Sequence, residues 1–156
     1  MRVRPAGPDD VPALARLNAE VQDLHRAARP DRYSDPPLEA IADWFRRLVA
    51  NGDIVVLLAE DDDGAAIGFA VVRRIDYTGN VFALPRVGAM VDGLGVTAAA
   101  RRRGAGRALM AAAEEQARAW GAASLSLDVQ RFNRDAEEFY RALGYHVTTT
   151  RMAKPL

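Results

Sequence analysis

A short run of arginine and glycine contains the residues of this sequence best suited to holding an anionic ligand. Residues 101–106 read RRRGAG, and a helical pattern begins at Gly104. The start of a helix presents backbone N–H groups that lack an intrahelical acceptor, together with the positive end of the helix dipole. Glycine leaves those groups uncovered, while arginine adds charge and paired donors. The run therefore predicts a cradle for a pyrophosphate.

Two other phosphate motifs do not match this run. A P-loop needs Gly-Lys-Ser/Thr, and the dinucleotide-binding fingerprint needs Gly-x-Gly-x-x-Gly directly after a strand. The residues from 101 onward fit neither pattern. Taken alone, the same six residues also suit a tight turn at the start of a solvent-exposed basic helix, so the surrounding elements must decide between the two interpretations.

The periodicity of apolar residues places the run between a strand and a helix of a mixed α/β domain. Alternating or continuous β-rich runs predict strands, and apolar residues three and four apart predict helices. The predicted strands cover residues 1–4, 53–59, 66–75, 87–96, 124–129 and 145–152. The predicted helices cover residues 11–25, 38 up to the stop signal Asn51-Gly52, 104–120 and 135–143. Glycines inside the 87–96 strand indicate a bulge, around 93–95, or a close approach of another group to its backbone.

Composition limits the classes of protein that this chain can represent. Its 156 residues fit one domain covering the whole chain. Lys+Arg and Asp+Glu both number 21, so bulk attraction to nucleic acid or to an anionic membrane is not expected. Without cysteine and with only two histidines, the chain is not expected to hold a metal. The absence of a long apolar segment and of an apolar N-terminal region predicts a cytoplasmic protein.

The segment around the arginine–glycine run resembles the acyl-CoA signature of the GNAT superfamily of N-acetyltransferases, Arg/Gln-x-x-Gly-x-Gly/Ala. Arg101, Gly104 and Gly106 meet that pattern, and Val96 ends the preceding strand five residues earlier. The family's later motifs follow in order: Asn133, Ala136, Phe139-Tyr140, Leu143-Gly144-Tyr145 and the ending Met152-x-Lys154-x-Leu156. The resemblance is specific over residues 87–156 and extends only to the order of elements over residues 1–86.

The resemblance implies an α/β fold of the α+β type and an acetyl-CoA-dependent transfer to an amine. The implied sheet is mixed but mainly antiparallel, with splayed middle strands and helices on both faces. The pantetheine arm would lie between the strand ending at Val96 and the strand around 125–129. The residues implied to bind acetyl-CoA are Leu94, Val96, Arg101, Arg102, Gly104, Ala105, Gly106, Arg107 and Asn133.

Two residues are candidates for the chemical step. Tyr140 occupies the family's position for the tyrosine that protonates the departing CoA thiolate, and a phenol with a pKa near ~10 can act as a general acid. It could instead pack its helix against the sheet, although the neighbouring Phe139 suits that role better. Asp92 could remove a proton from the attacking ammonium, directly or through water, or it could be an ordinary polar residue on a solvated strand face. Asn133 also suits a helix N-cap, and the two roles are compatible.

The acceptor amine is not identified by the sequence. In this family the first helix and the loop after it often wall the acceptor site, and here they contain Glu20, His25 and Tyr33. The acceptor is expected to be a small-molecule or protein amine, and a homodimer is common in the family. A catalytically inactive acyl-CoA-binding module is the alternative function. An unrelated nucleotide-binding protein is disfavoured by the missing P-loop lysine.

Overall fold

The computed structural model describes residues 1–79, 81–82 and 84–154. Its strands are β1 (Arg2–Pro5), β2 (Ile54–Glu60), β3 (Ala66–Asp76), β4 (Val87–Val96) and β5 (Leu125–Leu127). Its α-helices are α1 (Val11–Ala28), α2 (Leu38–Val49), α3 (Ala105–Ala119) and α4 (Arg134–Ala142). Two short 3₁₀ turns precede α1 and follow β4. The order agrees with the sequence prediction from the first strand to the last helix.

One five-stranded sheet organises the domain, with the strands in sequence order from β1 to β5. The first four strands pair antiparallel, and β5 joins β4 in parallel. This mixed, mainly antiparallel sheet confirms the expected fold class. The predicted hairpin of the second and third strands is confirmed by the pairing of β2 with β3.

The two faces of the sheet bury different helices because side chains alternate along a strand. Val56, Leu58, Phe69 and Val71 of β2 and β3 join α1 and α2 in one core. Their neighbours along the same strands face α3 and α4 in a second core, built on Leu57, Ala59, Ala70, Val72 and Leu109. Helices therefore cover both faces, as expected.

The predicted final strand over residues 145–152 is wrong. Residues 145–154 form neither helix nor strand, and they are exposed from His146 onward. Val147 and the three threonines after it favour a strand, but that preference depends on a neighbouring strand that satisfies the backbone groups. The segment has no such neighbour among the described residues. Leu156, the end of the family-like C-terminal motif, lies outside them.

β5 is also shorter than the predicted strand over 124–129. It ends at Leu127, where its pairing with β4 stops. Because β5 is the last strand in the sheet order, the splay lies between the edge strand β5 and its neighbour β4. Two features are absent from the described part of the chain. None of its helices is long and apolar enough to cross a membrane. Nor does it bring three or more His, Asp or Glu side chains together as a metal site.

Candidate active site

The opening between β4 and β5 is the place where the sheet can admit a ligand. The last pair between these strands joins Val91 to Leu127, whereas β4 continues to Val96. Against β3, β4 has one extra residue, Asp92, directly before Gly93. Such a β-bulge bends a strand and increases its twist. The bulge expected around 93–95 is therefore present one residue earlier, at the point where the two strands diverge.

Beyond the bulge, β4 has a free edge. The Thr97 N–H donates to the carbonyl of Ile67 beside β3, at 2.9 Å. Because successive residues of a strand direct their backbone groups to opposite edges, Leu94 and Val96 face the edge that β5 has left. The Val96 carbonyl accepts a long hydrogen bond of 3.3 Å from Nε of Arg101. This edge can therefore pair with an amide-containing ligand, as predicted for Leu94 and Val96.

The turn after β4 is shaped to bind an anion. Arg102 has φ of 63° and Gly104 has φ of 92°, both in the left-handed region, and α3 begins at Ala105. A left-handed non-glycine residue is unusual and strained, and such residues concentrate at functional sites. Within the described residues, the N–H groups of 102–107 have no acceptor. Consecutive N–H groups in such a turn form a concave anion site at the positive end of a helix.

The two glycines of the run differ in their structural role. Gly104 caps α3 in a conformation that glycine adopts freely. At Gly106, an added Cβ would lie 3.2 Å from the ring of Phe139 on α4. Gly106 therefore allows α3 and α4 to pack closely. That packing role was missed by sequence reasoning, which considered only the approach of phosphate.

Tyr140 lies in a dry aromatic cluster beside the opening. Its ring makes edge contacts with Phe139 and Tyr145, and it packs in the same core as Leu94 and Val96. Burial raises the pKa of Tyr140 to about 12. Within the described chain its hydroxyl has no hydrogen-bond partner, so the proton it carries is free to meet a ligand. Both Phe139 and Tyr140 pack against the core, so packing alone does not distinguish them.

Asn133 caps α4. Its side-chain oxygen accepts a hydrogen bond of 3.2 Å from the backbone N–H of Ala136. This is the helix-capping role that the sequence favoured. The side-chain NH₂ remains a donor, so capping is compatible with a contact to a bound ligand.

Asp92 is held by Arg73 of β3. Both carboxylate oxygens of Asp92 accept hydrogen bonds from Arg73, at 2.6 Å from Nε and 2.9 Å from Nη2. Arg73 is only partly exposed, and the hydrogen bond to Asp92 raises its pKa. The ion pair fixes Asp92 at the bulge and occupies one lone pair on each carboxylate oxygen.

Helix α1 forms the opposite wall of the opening. Glu20 accepts a hydrogen bond of 2.7 Å from the N–H of Ala98, just after β4. Val21 lies over Gly95, where an added Cβ would come within 2.6 Å of it. The structure therefore brings the first helix, named as an acceptor wall by the family resemblance, directly against the end of β4.

His25 connects this wall to the loop before α4. Its ring is 5.2 Å from that of Tyr33 and 5.8 Å from that of Phe132. Burial lowers the pKa of His25, and its Nδ1 is buried with no hydrogen-bond partner in the described chain. Phe132 was not identified from the sequence, because only the fold brings residues 25, 33 and 132 together.

Comparisons with known proteins agree with this geometry. A family model described as "Acetyltransferase (GNAT) family" matches residues 18–145. An uncharacterized N-acetyltransferase of Bacillus subtilis, YhfO, is 31% identical over 96% of this chain and 92% of its own. An aminoglycoside N(6')-acetyltransferase type 1 of Stenotrophomonas maltophilia is 33% identical over 94% of this chain and 86% of its own.

Solved structures show the same architecture. A crystal structure of a tetramutant of the BH1408 protein from Bacillus halodurans superposes with a TM-score of 0.94 and 25% identity, covering all of both chains. Together with the family match over most of the chain, these findings establish that the protein belongs to the GNAT acetyltransferase family.

Proposed function

We propose that this protein transfers an acetyl group from acetyl-CoA to a primary amine by direct attack in a ternary complex. One observation carries the proposal: the free edge of β4 is followed, after one short 3₁₀ turn, by residues 102–107, whose N–H groups have no acceptor within the described chain. A ligand with two amides and a pyrophosphate in sequence would satisfy both features. The membership of the GNAT family supports acetyl-CoA as that ligand.

The proposed donor site divides between these two features. Leu94 and Val96 would pair with the amides of the pantetheine arm through their backbone groups. The pyrophosphate would accept hydrogen bonds from the N–H groups of Arg102, Gly104, Ala105, Gly106 and Arg107, and Asn133 would donate from its free NH₂. The Arg101 N–H already donates to the carbonyl of Thr97 at 3.1 Å, so Arg101 would contribute the charge of its side chain. The arginine side chains, exposed at 101–103, add a positive potential that attracts the phosphates.

The chemical step makes a C–N bond and breaks a C–S bond. A neutral amine nitrogen attacks the thioester carbonyl carbon, the sulfur leaves with the electron pair, and the nitrogen gives up one proton. The buried Tyr140 hydroxyl remains protonated throughout the physiological pH range, since its pKa is about 12. A free thiol has a pKa near ~8.5, so complete transfer of the phenol proton to a thiolate is uphill. Tyr140 would therefore act mainly by donating a hydrogen bond to the sulfur as charge develops on it.

Asp92 would take part through a water molecule and not by direct contact with the amine. Arg73 already binds both of its oxygens, at 2.6 and 2.9 Å. A carboxylate bound in this way still accepts a hydrogen bond from water at its remaining lone pairs. We propose that such a water carries the proton from the attacking ammonium to solvent.

A small molecule is the proposed type of acceptor, because relatives that match most of this chain are named aminoglycoside N(6')-acetyltransferases. A protein amine, a homodimer and a cytoplasmic location stay predictions. The alternative of an inactive acyl-CoA-binding module is retained as an outcome of the test below.

The test combines binding and turnover on the intact chain. Acetyl-CoA affinity is measured by calorimetry, and release of free thiol is followed with a panel of primary amines, in which an aminoglycoside is included. Tight binding with turnover of at least one amine supports the proposal. Tight binding with no turnover of any amine supports the inactive module, and a preference for ATP over CoA would overturn the donor assignment.

A further inference from the structure

A cavity of about 350 Å³ lies on the acceptor side of the molecule, between α1, α2 and the loop joining them. It is large enough for a small amine substrate of roughly amino-acid size. Its lining includes two side-chain amides, two aromatic rings and one guanidinium, contributed by Asn18, Gln22, Tyr33, Trp44 and Arg32.

Asn18 is the buried polar group of this cavity. Only 8% of the residue is exposed, yet its side-chain amide makes no hydrogen bond within the described residues. Its amide atoms are not among the fully buried polar atoms that lack a partner, so they are open to the cavity. Since Asn18 lines the cavity, a bound ligand would supply the missing hydrogen bonds.

The charged side chain in the lining of the cavity is Arg32. Each of the six carboxylates on residues 18–45 already has a partner within the described chain. Five form ion pairs with arginines: Asp23 and Asp35 with Arg26, Asp31 with Arg29, and Glu39 and Asp43 with Arg46. The sixth, Glu20, accepts a hydrogen bond from the backbone N–H of Ala98. None of them lines the cavity. Arg32 does line it, and within the described chain it makes no ion pair. The lining therefore offers one uncompensated cation and no anion.

The cavity adjoins the proposed transfer site through its aromatic wall. Tyr33 lines the cavity and stacks against His25, which in turn contacts Phe132 in the loop before α4. Val21, one residue before the cavity-lining Gln22, packs over Gly95 at the free edge of β4. These contacts link the lining of the cavity to residues at the free edge of β4.

We propose that the cavity binds the non-reacting part of a carboxylate-bearing primary amine of the amino-acid class, with the carboxylate on Arg32. This inference rests on the proposed acetyl transfer and specifies its acceptor. Arginine and a carboxylate form two parallel hydrogen bonds. Asn18 would bond a polar group of the same ligand, and Tyr33 and Trp44 would contact its apolar part.

The decisive kinetic test compares each of the twenty L-amino acids with its own carboxamide, which keeps the amine and removes the charge. We expect kcat/KM for the reactive amino acids to exceed that of their amides by about tenfold or more, the scale of a hydrogen-bonded charge. Arg32→Gln should abolish that preference while leaving the amides nearly unaffected. Arg47→Gln is the matched control, since Arg47 is an exposed, unpaired arginine of α2, among the described residues, that does not line the cavity.

A binding measurement separates this inference from the proposed chemistry. Trp44 lines the cavity, so its fluorescence should respond to a reactive amino acid, or to L-phenylalanine if none reacts. The response should be lost in Trp44→Phe and weakened in Arg32→Gln. Turnover of amines with no preference for carboxylates, or with a preference that survives Arg32→Gln, would overturn the inference and leave acetyl transfer intact. If no amine is acetylated, the proposed function fails, and the titration alone decides whether the cavity binds a carboxylate.

Discussion

Removing the hydroxyl of Tyr140 separates a chemical role from a packing role. Tyr140→Phe keeps the ring that contacts Phe139 and Tyr145 and deletes one oxygen that has no partner in the described chain. No hydrogen bond is lost within the described residues, so the free energy of unfolding should change by less than about 0.5 kcal/mol. If the hydroxyl stabilises the departing sulfur, kcat should fall by roughly 10²-fold or more.

Tyr145→Phe is a matched control in the same aromatic cluster. The Tyr145 hydroxyl donates to Oε1 of Glu114 at 3.2 Å. Losing that hydrogen bond at a partly exposed site should cost about 1 kcal/mol. For a domain of this size that corresponds to a fall in Tm of roughly 2–4 °C. Turnover should stay within about twofold of the unmodified protein, since a hydroxyl engaged elsewhere supplies nothing to the transition state.

The assay pairs thermal unfolding with steady-state kinetics for both variants. We expect Tyr140→Phe to lose turnover at an unchanged Tm, and Tyr145→Phe to have a lower Tm at unchanged turnover. The loss in Tyr140→Phe should appear equally in kcat and kcat/KM, because the hydroxyl acts only as charge develops. Normal turnover in Tyr140→Phe would refute the role of this hydroxyl, whatever the family membership.

Three further predictions concern the turn, the bulge and the first strand. Gly104→Ala should weaken CoA binding by about tenfold and cause a modest loss of stability. Gly121 has a similar positive φ and lies in open space, so Gly121→Ala should lose about as much stability while its affinity for CoA stays unchanged. Equal CoA affinities of the two variants by calorimetry would contradict the anion-binding role of the turn. Asp92→Asn should slow turnover most at low pH, where the amine needs help to lose its proton, and a uniform effect across the pH–rate profile would argue for a purely structural role. Arg4 donates two hydrogen bonds, of 2.7 and 2.8 Å, to the carboxylate of Asp10 and so lowers its pKa in the folded state. The ionised carboxylate therefore stabilises the fold at pH values above about 4, the pKa of Asp in the unfolded chain. This stabilisation is lost as pH falls through the lower pKa of Asp10 in the folded state. The Tm of Asp10→Asn should therefore lie below that of the unmodified protein at pH 7, and the two should converge as pH falls below the lowered pKa of Asp10. A constant difference in Tm would show that the pairing is not the cause.

Local sequence was sufficient for the order of elements from β1 to α4 and for the glycine-capped turn that begins α3. The arginines, the glycine cap and the start of α3 follow one another directly in the chain, at residues 101–106. Their chemistry depends on backbone N–H groups that the start of any such helix exposes. The Gly93 and Gly95 pattern likewise indicated an irregular strand, and the bulge lies beside it at Asp92. These features are determined within a few residues, so no knowledge of the rest of the chain was needed.

Tertiary structure decided what surrounds those features. The segment after Gly144 has strand-like residues but no partner for its backbone, so the predicted strand is absent. The pairing of Asp92 with Arg73 joins residues 19 apart, and it changes a candidate base into a fixed ion pair. Gly106 is needed for the packing of Phe139, a contact between two helices that periodicity does not reveal.

The cavity between α1 and α2 shows most clearly which properties the sequence determined and which the tertiary structure decided. The sequence by itself assigned His25 and Tyr33 to the first helix and the loop after it, and it determined the residue types that line the cavity. It could not show that Asn18 opens into a cavity, that Arg32 is the one charged side chain among the described cavity residues, or that Phe132 meets His25. Burial and charge pairing arise between segments distant in sequence, and they are fixed only when α1 and α2 pack on the sheet.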